Sequence, residues 1–353
     1  MPQSLQWAIF LIAVVAVSAG LIFLRDTLST FFIALLLWLG IEGLARWLDQ
    51  RIPFMPGWLA MPIAIVAILA LVGAVGYGVA QNVGDIASQT TDYKHRIDQL
   101  TKDVYTLFQI PGPAPTISTV VRQTGGGRLL AMIANGFQSL AGNTLLILIY
   151  LGFMFSAASQ LSPKLDRIFI KADDRDHVRA ILTAIRKSMQ DYLWVQTVMS
   201  IIMSALTYAT LAAIGLPNAE FWCFLIFFLN YIPTIGSIVA VLLPTLAALV
   251  VWSDITHIAL VAFGVGIWQF LGGNLLQPRM MGDSLNLSAI VVLLSLAIWG
   301  TIWGIAGAFL AAPITVMIMI ILNQFTSTRW LAILMSADGR PRRIRRTSTV
   351  AEA

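Results

Sequence analysis

The stretch "LNYIPTIGSIVAVLLPTLAAL", from Leu229 to Leu249, is apolar enough to lie in a membrane, yet it carries Pro233, Gly236 and Pro244 in its interior. Proline removes a backbone hydrogen-bond donor, and lipid supplies no replacement. Pro233 also disfavours helical geometry at the preceding residue, whereas glycine permits a turn. We therefore predict that one helix ends near Pro233 and another begins after it. The backbone groups freed there must be buried in protein or border a hydrated cavity.

A second long apolar run, from Leu287 to Phe325, repeats this pattern with "WGTIWGIAG" and Pro313. Small residues recur in it every fourth position, namely Gly300, Gly304, Ala308 and Ala312. Such spacing lets another helix approach closely. Two interrupted apolar segments in the later part of a chain are typical of a transporter's binding region. The alternative is that both are proline kinks with packing roles only, because membrane helices tolerate proline and glycine.

The composition agrees with a membrane setting. The chain has 353 residues, of which 58% are hydrophobic and 11% charged, and its mean hydropathy is +0.82. A typical soluble domain carries about a quarter charged residues. The fold class predicted is therefore an all-α, polytopic helical membrane protein with about eight spanning segments, two of them broken or hairpin-like and both in the C-terminal half.

The predicted segments follow the apolar runs. They are three transmembrane helices in 1–81, an extramembrane amphipathic hairpin in 82–141, a transmembrane helix in 142–160, a cytoplasmic amphipathic segment in 161–191, a transmembrane core with broken helices in 192–325, and a basic cytoplasmic tail in 326–353. The 82–141 hairpin either binds a partner or packs against its own bundle or a neighbouring subunit. The 161–191 segment either couples or gates transport, or lies at the membrane surface or between subunits.

Basic residues set the predicted orientation. The net charge is +5 and the pI is 9.6, but the basic residues sit in loops and the tail, so we interpret them as topology signals and predict no nucleic-acid partner. The tail "GRPRRIRR" and the basic segment before Tyr192 both belong in the cytoplasm by the positive-inside rule. Counting spans backwards then puts the N-terminus in the cytoplasm as well.

Residues for catalysis or metal binding are scarce. The single cysteine, Cys223, lies in an apolar run, and the three histidines, His95, His177 and His257, fall in different segments without ligand spacing. Walker, dinucleotide-binding and nucleophile-elbow motifs are missing from the sequence. We predict no metal site, no cofactor and no enzymatic activity. Glu42 is an acid inside the second span, and Arg46, one helical turn later, is its expected partner.

Amide side chains accompany the breaks. Asn230 stands beside Pro233, and "WQFLGGNLLQPRMMG" places Asn274 and Gln277 near the end of a span that Pro278 terminates. Buried amides need partners, which are either neighbouring helices or a solute. We expect these amides to face the protein interior and the two breaks to border one space. The predicted substrate path comprises Asn230, Pro233, Gly236, Pro244, Asn274, Gln277, Pro278, Trp303, Gly304, Gly307 and Pro313.

These residues carry a family resemblance. "LNYIPTIGSIVAVLLP", followed by "GNLLQPRMMGDSLNLSAIVVLLSLAIWGTIWGIAGAFLAAPIT", resembles the signature of the autoinducer-2 exporter (AI-2E) family, a family of permeases. The resemblance implies a transporter of the bacterial inner membrane that forms a homo-oligomer, with a pentamer as one expected form. Some members of that family are associated with export of autoinducer-2 and others with sodium/proton antiport, so the resemblance implies one of these two activities.

Two positions depart from the family pattern. Many similar proteins have Lys where this chain has Gln196, and Glu where it has Gln277. A buried charge without its partner costs several kcal/mol, so a joint replacement by neutral amides is expected if the two positions touch. We therefore treat Gln196 and Gln277 as a candidate coupled pair.

Three functions remain open from the sequence. The leading one is export of a small polar or amphiphilic organic solute, autoinducer-2-like by resemblance. The first alternative is a monovalent cation/proton antiporter, which needs a membrane-embedded carboxylate. The candidates are Glu42 and, near span ends, Glu220, Asp254 and Asp283. The second alternative is a scaffold that transports nothing and recruits partners through its amphipathic segments.

Overall fold

The structure, a computed structural model, describes residues 3–52, 54, 56–88, 142–252, 254–281 and 286–341. Its helices are α1 Gln3–Phe23, α2 Arg25–Arg51, α3 Gly57–Ser88, α4 Thr144–Ile168, α5 Ala172–Ile214, α6 Ala219–Leu229, α7 Ile235–Val251, α8 Ile255–Leu271, α9 Gln277–Met281, α10 Ala289–Leu322 and α11 Arg329–Met335. A π-helical turn, Gly272–Leu276, joins α8 to α9. Within those ranges the chain forms no strand, apart from an isolated antiparallel bridge between Leu287 and Ser336.

The predicted all-α membrane architecture is confirmed. By length and composition, five helices could cross a membrane, namely Arg25–Arg51, Thr144–Ile168, Ala172–Ile214, Ile255–Met280 and Ala289–Leu322, the last of which reverses direction at Gly304. Shorter apolar helices cover Leu11–Phe23, Gly57–Leu71, Ala219–Leu229 and Ile235–Val251. Most of the predicted 82–141 hairpin, Asp283 and the arginines after residue 341 lie outside the described residues.

The amphipathic segment before the fifth predicted span and the span itself form a single helix. α5 runs unbroken for 43 residues, about 65 Å at the usual helical rise. Asp173 and Asp174 lie in its first turn, where carboxylates interact favourably with the helix dipole. The polar half of α5 therefore continues directly into the apolar half without a connecting loop.

The chain divides into two compact units. One contains Met1–Ala64, Gly142–Tyr192 and Asp283–Ala353, and the other contains Ile65–Ala141 and Leu193–Gly282. In the first unit α2 packs against α4 and α10, and Phe31 meets Tyr150 edge to face at 5.7 Å between ring centroids. In the second unit the end of α5 packs with α6, α7 and α8 around a fully apolar core. That core contains Leu211, Leu225, Ile226, Leu243, Val261 and Val265.

The chain reverses direction between α6 and α7. α6 ends at Leu229, and α7 begins at Ile235 after Thr234, whose φ of 63° is left-handed. A Cβ built on Gly236 would lie 1.7 Å from the carbonyl oxygen of Leu229. Residues seven apart in a continuous helix would be about 10 Å apart along its axis. The two helices are thus the arms of a helical hairpin, so the predicted break at Pro233 is confirmed.

A second reversal lies inside α10. Gly304 has φ 63° and ψ −138°, which is not helical. A Cβ on Gly300 would be 3.9 Å from the Cβ of Ala308, and one on Gly307 would be 1.8 Å from the carbonyl oxygen of Trp299. Eight residues of continuous helix would separate such positions by about 12 Å. α10 therefore consists of two antiparallel arms, residues 289–303 and 305–322, and the second predicted break is confirmed as well.

The prolines and glycines do not all act as predicted. Pro244 is fully buried in the core and α7 continues through it, so it does not break the helix. Gly236 is not the turn residue, because the left-handed conformation belongs to Thr234. Gly236 is needed instead for the close approach of the Leu229 carbonyl, which leaves no room for a side chain.

The open end of the second hairpin is closed by the C-terminal segment. The backbone N–H of Ser288 donates to the Met335 carbonyl at 2.9 Å, and that of Ala337 donates to the Asn286 carbonyl at 3.0 Å. The Asn286 amide donates to Asp338 at 2.7 Å, and this hydrogen bond helps to hold the pKa of that carboxyl below its usual range. The residues after α11 therefore return to the start of α10.

Candidate functional site

Gln196 connects three elements of the second unit. Its side chain is 3% exposed, and its Nε2 donates to the carbonyl oxygen of Asn230 in the turn between α6 and α7. Its Oε1 accepts a hydrogen bond of 3.3 Å from Nε2 of Gln277, the first residue of α9. The two amides of the candidate coupled pair therefore touch. The carbonyl freed by the break is that of Asn230, whereas the Ile232 carbonyl accepts from the Gly236 N–H at 3.0 Å.

A second polar contact holds the same turn. The Thr197 hydroxyl donates to the Leu193 carbonyl at 2.6 Å, which is the usual i−4 bond of a helical threonine. Because its only proton is used there, its oxygen accepts from the buried Tyr231 hydroxyl at 2.7 Å. Consecutive residues of α5, Gln196 and Thr197, thus fix consecutive residues of the turn, Asn230 and Tyr231.

Two buried amide nitrogens near these contacts lack an acceptor. Nδ2 of Asn230 and Nε2 of Gln269 are buried, and no described residue accepts a hydrogen bond from either. Leaving a buried donor unpaired costs about 1–3 kcal/mol. We define the polar cluster as Gln196, Thr197, Asn230, Tyr231 and Gln277. It keeps a hydrogen-bond donor at Asn230 that no described residue uses.

The π-helical turn explains why Gln277 points into the polar cluster. A π-bulge inserts an extra residue and re-aims the side chains after it. Gly272 opens the turn, and a Cβ there would be 2.5 Å from the Met203 sulfur, so glycine lets α8 approach α5 without moving the Met203 side chain. Trp268, one turn before, donates its Nε1 proton to Thr210 at 2.9 Å and fixes the same interface.

The prediction that Asn274 faces the interior is wrong. Its side chain is exposed, and its Nδ2 donates to the carbonyl of Phe270, four residues earlier, at 2.9 Å. A helical amide that binds its own backbone has no need of a buried partner. Pro278 is also exposed, and it does not terminate the span as predicted, because α9 continues through it to Met281.

The remaining predicted path residues lie in the second hairpin, in the first unit. Trp303 is buried and donates its Nε1 proton to the Leu21 carbonyl at 3.2 Å. The Phe32 ring packs against the Trp303 ring with 5.6 Å between the ring centroids. Gly304 and Gly307 form the reversal described above, and Pro313 is fully buried. Whether the two hairpins border one space stays a prediction.

Glu42 has a different partner from the one expected. Arg186 of α5 lies 3.1 Å from its Oε1 and stacks over Trp38 at 5.4 Å. Arg46 instead donates to Oε1 of Gln190, one turn along α5. Helical spacing alone favoured Arg46, but the packing of α5 against α2 supplies a closer cation. Oε1 of Glu42 is thus held in an ion pair, whereas its Oε2 is buried without a partner among the described residues.

The five residues of the polar cluster are all uncharged. Asp254 is exposed at the start of α8, where its bond to the His257 ring at 2.6 Å holds the pKa of its carboxyl below the usual range. Among the described residues, no three His, Cys, Asp or Glu side chains come close enough to hold a metal ion. The polar cluster can therefore bind a ligand through hydrogen bonds from neutral amide and hydroxyl groups.

Sequence reasoning missed several polar residues of the second unit. Thr197, Tyr231 and Gln269 were not singled out, nor were Ser200, Ser204 and Thr207 on α5. The signal available was the spacing of polar residues on α5, which places Gln196, Ser200, Ser204 and Thr207 on one face of an otherwise apolar span.

Comparison with known proteins decides the family. The model of the AI-2E family transporter matches residues 11–327, nearly the whole chain. The chain belongs to the AI-2E transporter family. The AI-2 transport protein TqsA of Escherichia coli K12 is 28% identical over 341 residues, which cover 95% of this chain and 96% of that protein. The "Putative transport protein YhhT" of the same strain is 25% identical over 342 residues, with 94% of each chain covered.

The family resemblance seen in the sequence is therefore confirmed. Membership in a transporter family, together with the membrane-spanning helices, makes this AI-2E protein a membrane transport protein and points away from an enzyme.

Proposed function

We propose that this AI-2E protein exports a small, neutral, polar or amphiphilic organic solute, similar to autoinducer-2. The observation that carries the proposal is the polar cluster, which is uncharged, partly buried, and placed at the tip of a helical hairpin, with the Gln196 and Tyr231 side chains buried. Backbone interrupted at membrane depth is a recurrent feature of transporter binding sites. The similarity to TqsA, an AI-2 transport protein, supports the solute class.

The chemistry of the polar cluster favours a neutral solute over a bare ion. An ion in a membrane needs a carboxylate or a ring of carbonyl groups to replace its hydration shell. The polar cluster contains amides and hydroxyls, and the Asn230 carbonyl is already occupied by Gln196. The unused donor, Nδ2 of Asn230, suits an ether or hydroxyl oxygen. Gln196 and Tyr231 then act as positioning residues, because they fix the turn that carries Asn230.

The proposal includes the membrane location, the orientation and the oligomeric state of the protein. We infer that the protein lies in the bacterial inner membrane with both termini in the cytoplasm, as the basic segments before Tyr192 and after Gly339 favour. We also propose a homo-oligomer in contact with the lipid bilayer, with a pentamer as the form to test first by mass measurement in detergent.

The experiment compares two matched substitutions in purified protein reconstituted in liposomes. Asn230→Leu removes the buried donor of the polar cluster, whereas Asn274→Leu makes the same change at an exposed amide that binds its own helix. We expect labelled autoinducer-2 flux to fall at least tenfold in Asn230→Leu and to stay within twofold of the parent in Asn274→Leu. Size-exclusion chromatography checks that both assemble.

Three outcomes contradict the proposal. Equal flux through both variants would remove the site from the hairpin tip. Sodium-dependent proton movement in the same liposomes, without autoinducer-2 flux, would establish the antiporter. Absence of any flux in the parent protein would favour the scaffold.

A further inference from the structure

A row of hydroxyl groups follows the polar cluster along α5. Ser200, Ser204 and Thr207 stand four and then three residues apart, so they share one face of the helix with Gln196, which comes one turn earlier. Their exposed fractions are 0%, 6% and 0%. No described residue hydrogen-bonds to the hydroxyl of Ser200 or Thr207, and the Ser204 hydroxyl has only the Cys223 thiol beside it.

Other threonines of the same unit behave differently. Thr197, Thr210 and Thr245 each donate to the carbonyl four residues earlier, at 2.6 to 2.9 Å. That bond is the standard way for a membrane helix to satisfy a buried hydroxyl. Thr197 and Thr210 even flank the row on the same helix. No carbonyl of the described residues accepts such a bond from the three hydroxyls of the row.

The row faces the seam between α5 and α6. Gln196 bonds to Asn230 at the C-terminal end of α6, and Ser204 lies beside the thiol of Cys223, near its start. A thiol is a weak hydrogen-bonding partner. Because Gln196 is eight residues before Ser204 and Asn230 is seven residues after Cys223, the two helices run antiparallel along this seam.

Dry helix packing accounts for the row less well. Small residues at such spacing do let helices pack closely. A dry seam, however, would leave each unpaired hydroxyl at a cost of about 1–3 kcal/mol. Water or a solute hydroxyl removes that cost at all three positions.

We propose that the α5 face from Gln196 to Thr207 is the wall of a route for water and solute, which is closed in this structure and opens during transport. This inference rests on the proposed transport function and extends its site away from the hairpin tip. Eleven residues of helix cover about 16 Å, roughly half of a bilayer's hydrocarbon core of about 30 Å. The row thus leads from the polar cluster across one half of the membrane, with a hydroxyl at about every turn to bind the oxygens of passing molecules.

Cysteine accessibility tests the route without any substrate. Cys223 is the only cysteine in the chain, so Cys223→Ser gives a thiol-free background. Ser200→Cys, Ser204→Cys and Thr207→Cys then place single thiols in the row with little change in volume. Met199→Cys and Leu211→Cys are matched controls, since both residues are equally buried but belong to apolar clusters. The probe is a charged, membrane-impermeant methanethiosulfonate applied to the protein in liposomes.

We expect the three row positions to react at least tenfold faster than the two controls. Equal rates at all five positions would overturn the route, because a dry seam protects every buried thiol alike. This test does not depend on the identity of the solute. Fast labelling without autoinducer-2 flux would support the route and refute the proposed solute. Autoinducer-2 flux without labelling would support the solute and refute the route. If the three row thiols react only after the protein has been denatured, the route is refuted, because the thiols are then intact but shielded from water in the folded protein.

Discussion

The close contact at Gly236 predicts a large effect from the smallest possible substitution. In Gly236→Ala the added methyl carbon would lie 1.7 Å from the Leu229 carbonyl oxygen and 2.7 Å from its carbonyl carbon. An ordinary carbon–oxygen contact is about 3.3 Å. The overlap is therefore about 1.6 Å, and both atoms belong to the backbone or stand directly on it. Rotating a side chain cannot relieve the clash, so the hairpin tip has to open.

Overpacking of this kind costs about 1–3 kcal/mol, and rigid backbone neighbours place Gly236→Ala at the upper end. One kcal/mol moves Tm by about 2–4 °C in a chain of 150–250 residues and by less in a longer chain. We therefore expect Tm to fall by about 3–6 °C. Because Gln196 bonds to the carbonyl next to Leu229, we also expect transport to fall more steeply than stability.

Gly266→Ala is the matched control. Gly266 lies inside α8, and a Cβ there would meet only Val241 at 3.9 Å, an ordinary contact. Alanine also favours a helix over glycine by about 1 kcal/mol. Both variants are measured by intrinsic tryptophan fluorescence during heating in one detergent. If Gly236→Ala melts within 1 °C of Gly266→Ala, the reversal at the hairpin tip is not as tight as the structure has it.

Three further predictions concern polar residues. Gln196→Lys and Gln277→Glu should each lower Tm, and the double variant should recover at least half of the summed loss, because the amides touch; additive losses would refute the coupling. Arg186→Gln should cost about 1 kcal/mol, since the pair with Glu42 is partly exposed, and adding Glu42→Gln should restore most of the lost Tm. The pKa of Asp254 is lowered, so this carboxylate stabilises the start of α8 fully above about pH 4, and the stabilisation is lost as the pH falls through the lowered pKa. Amide hydrogen exchange at the start of α8 should therefore speed up at acid pH in the parent protein, and Asp254→Asn should remove this pH dependence.

The broken helices could be predicted because their causes are local. Proline at 233 has no N–H, and this fact alone ends a helix in an apolar run. The direction of the chain after the break is not local. It depends on the carbonyl of Leu229 fitting against Gly236, and glycine in a sequence indicates freedom but not the geometry that uses it.

The candidate site was predicted in part for the same reason. The contact between Gln196 and Gln277 could be predicted because both positions depart from the family pattern, and the two departures together remove one positive and one negative charge. The partner of Glu42 and the exposure of Asn274 depend on how α5 and the π-helical turn pack, and no spacing within one segment contains that information. Periodicity places residues on a face but does not identify what covers the face.

The ion pair of Glu42 and Arg186 has a consequence for biosynthesis. Glu42 stands in the second helix and Arg186 in the first half of α5, so the acid reaches the membrane well before its partner has been synthesised. A lone carboxylate is costly in hydrocarbon, and a nascent helix avoids the cost by taking up a proton or by staying shallow. We expect the second helix to settle at full depth only when Arg186 arrives. Nascent chains stalled before and after that residue should therefore differ in how far Glu42→Cys is shielded from aqueous thiol reagents, and equal shielding would show that the helix inserts without waiting for its cation.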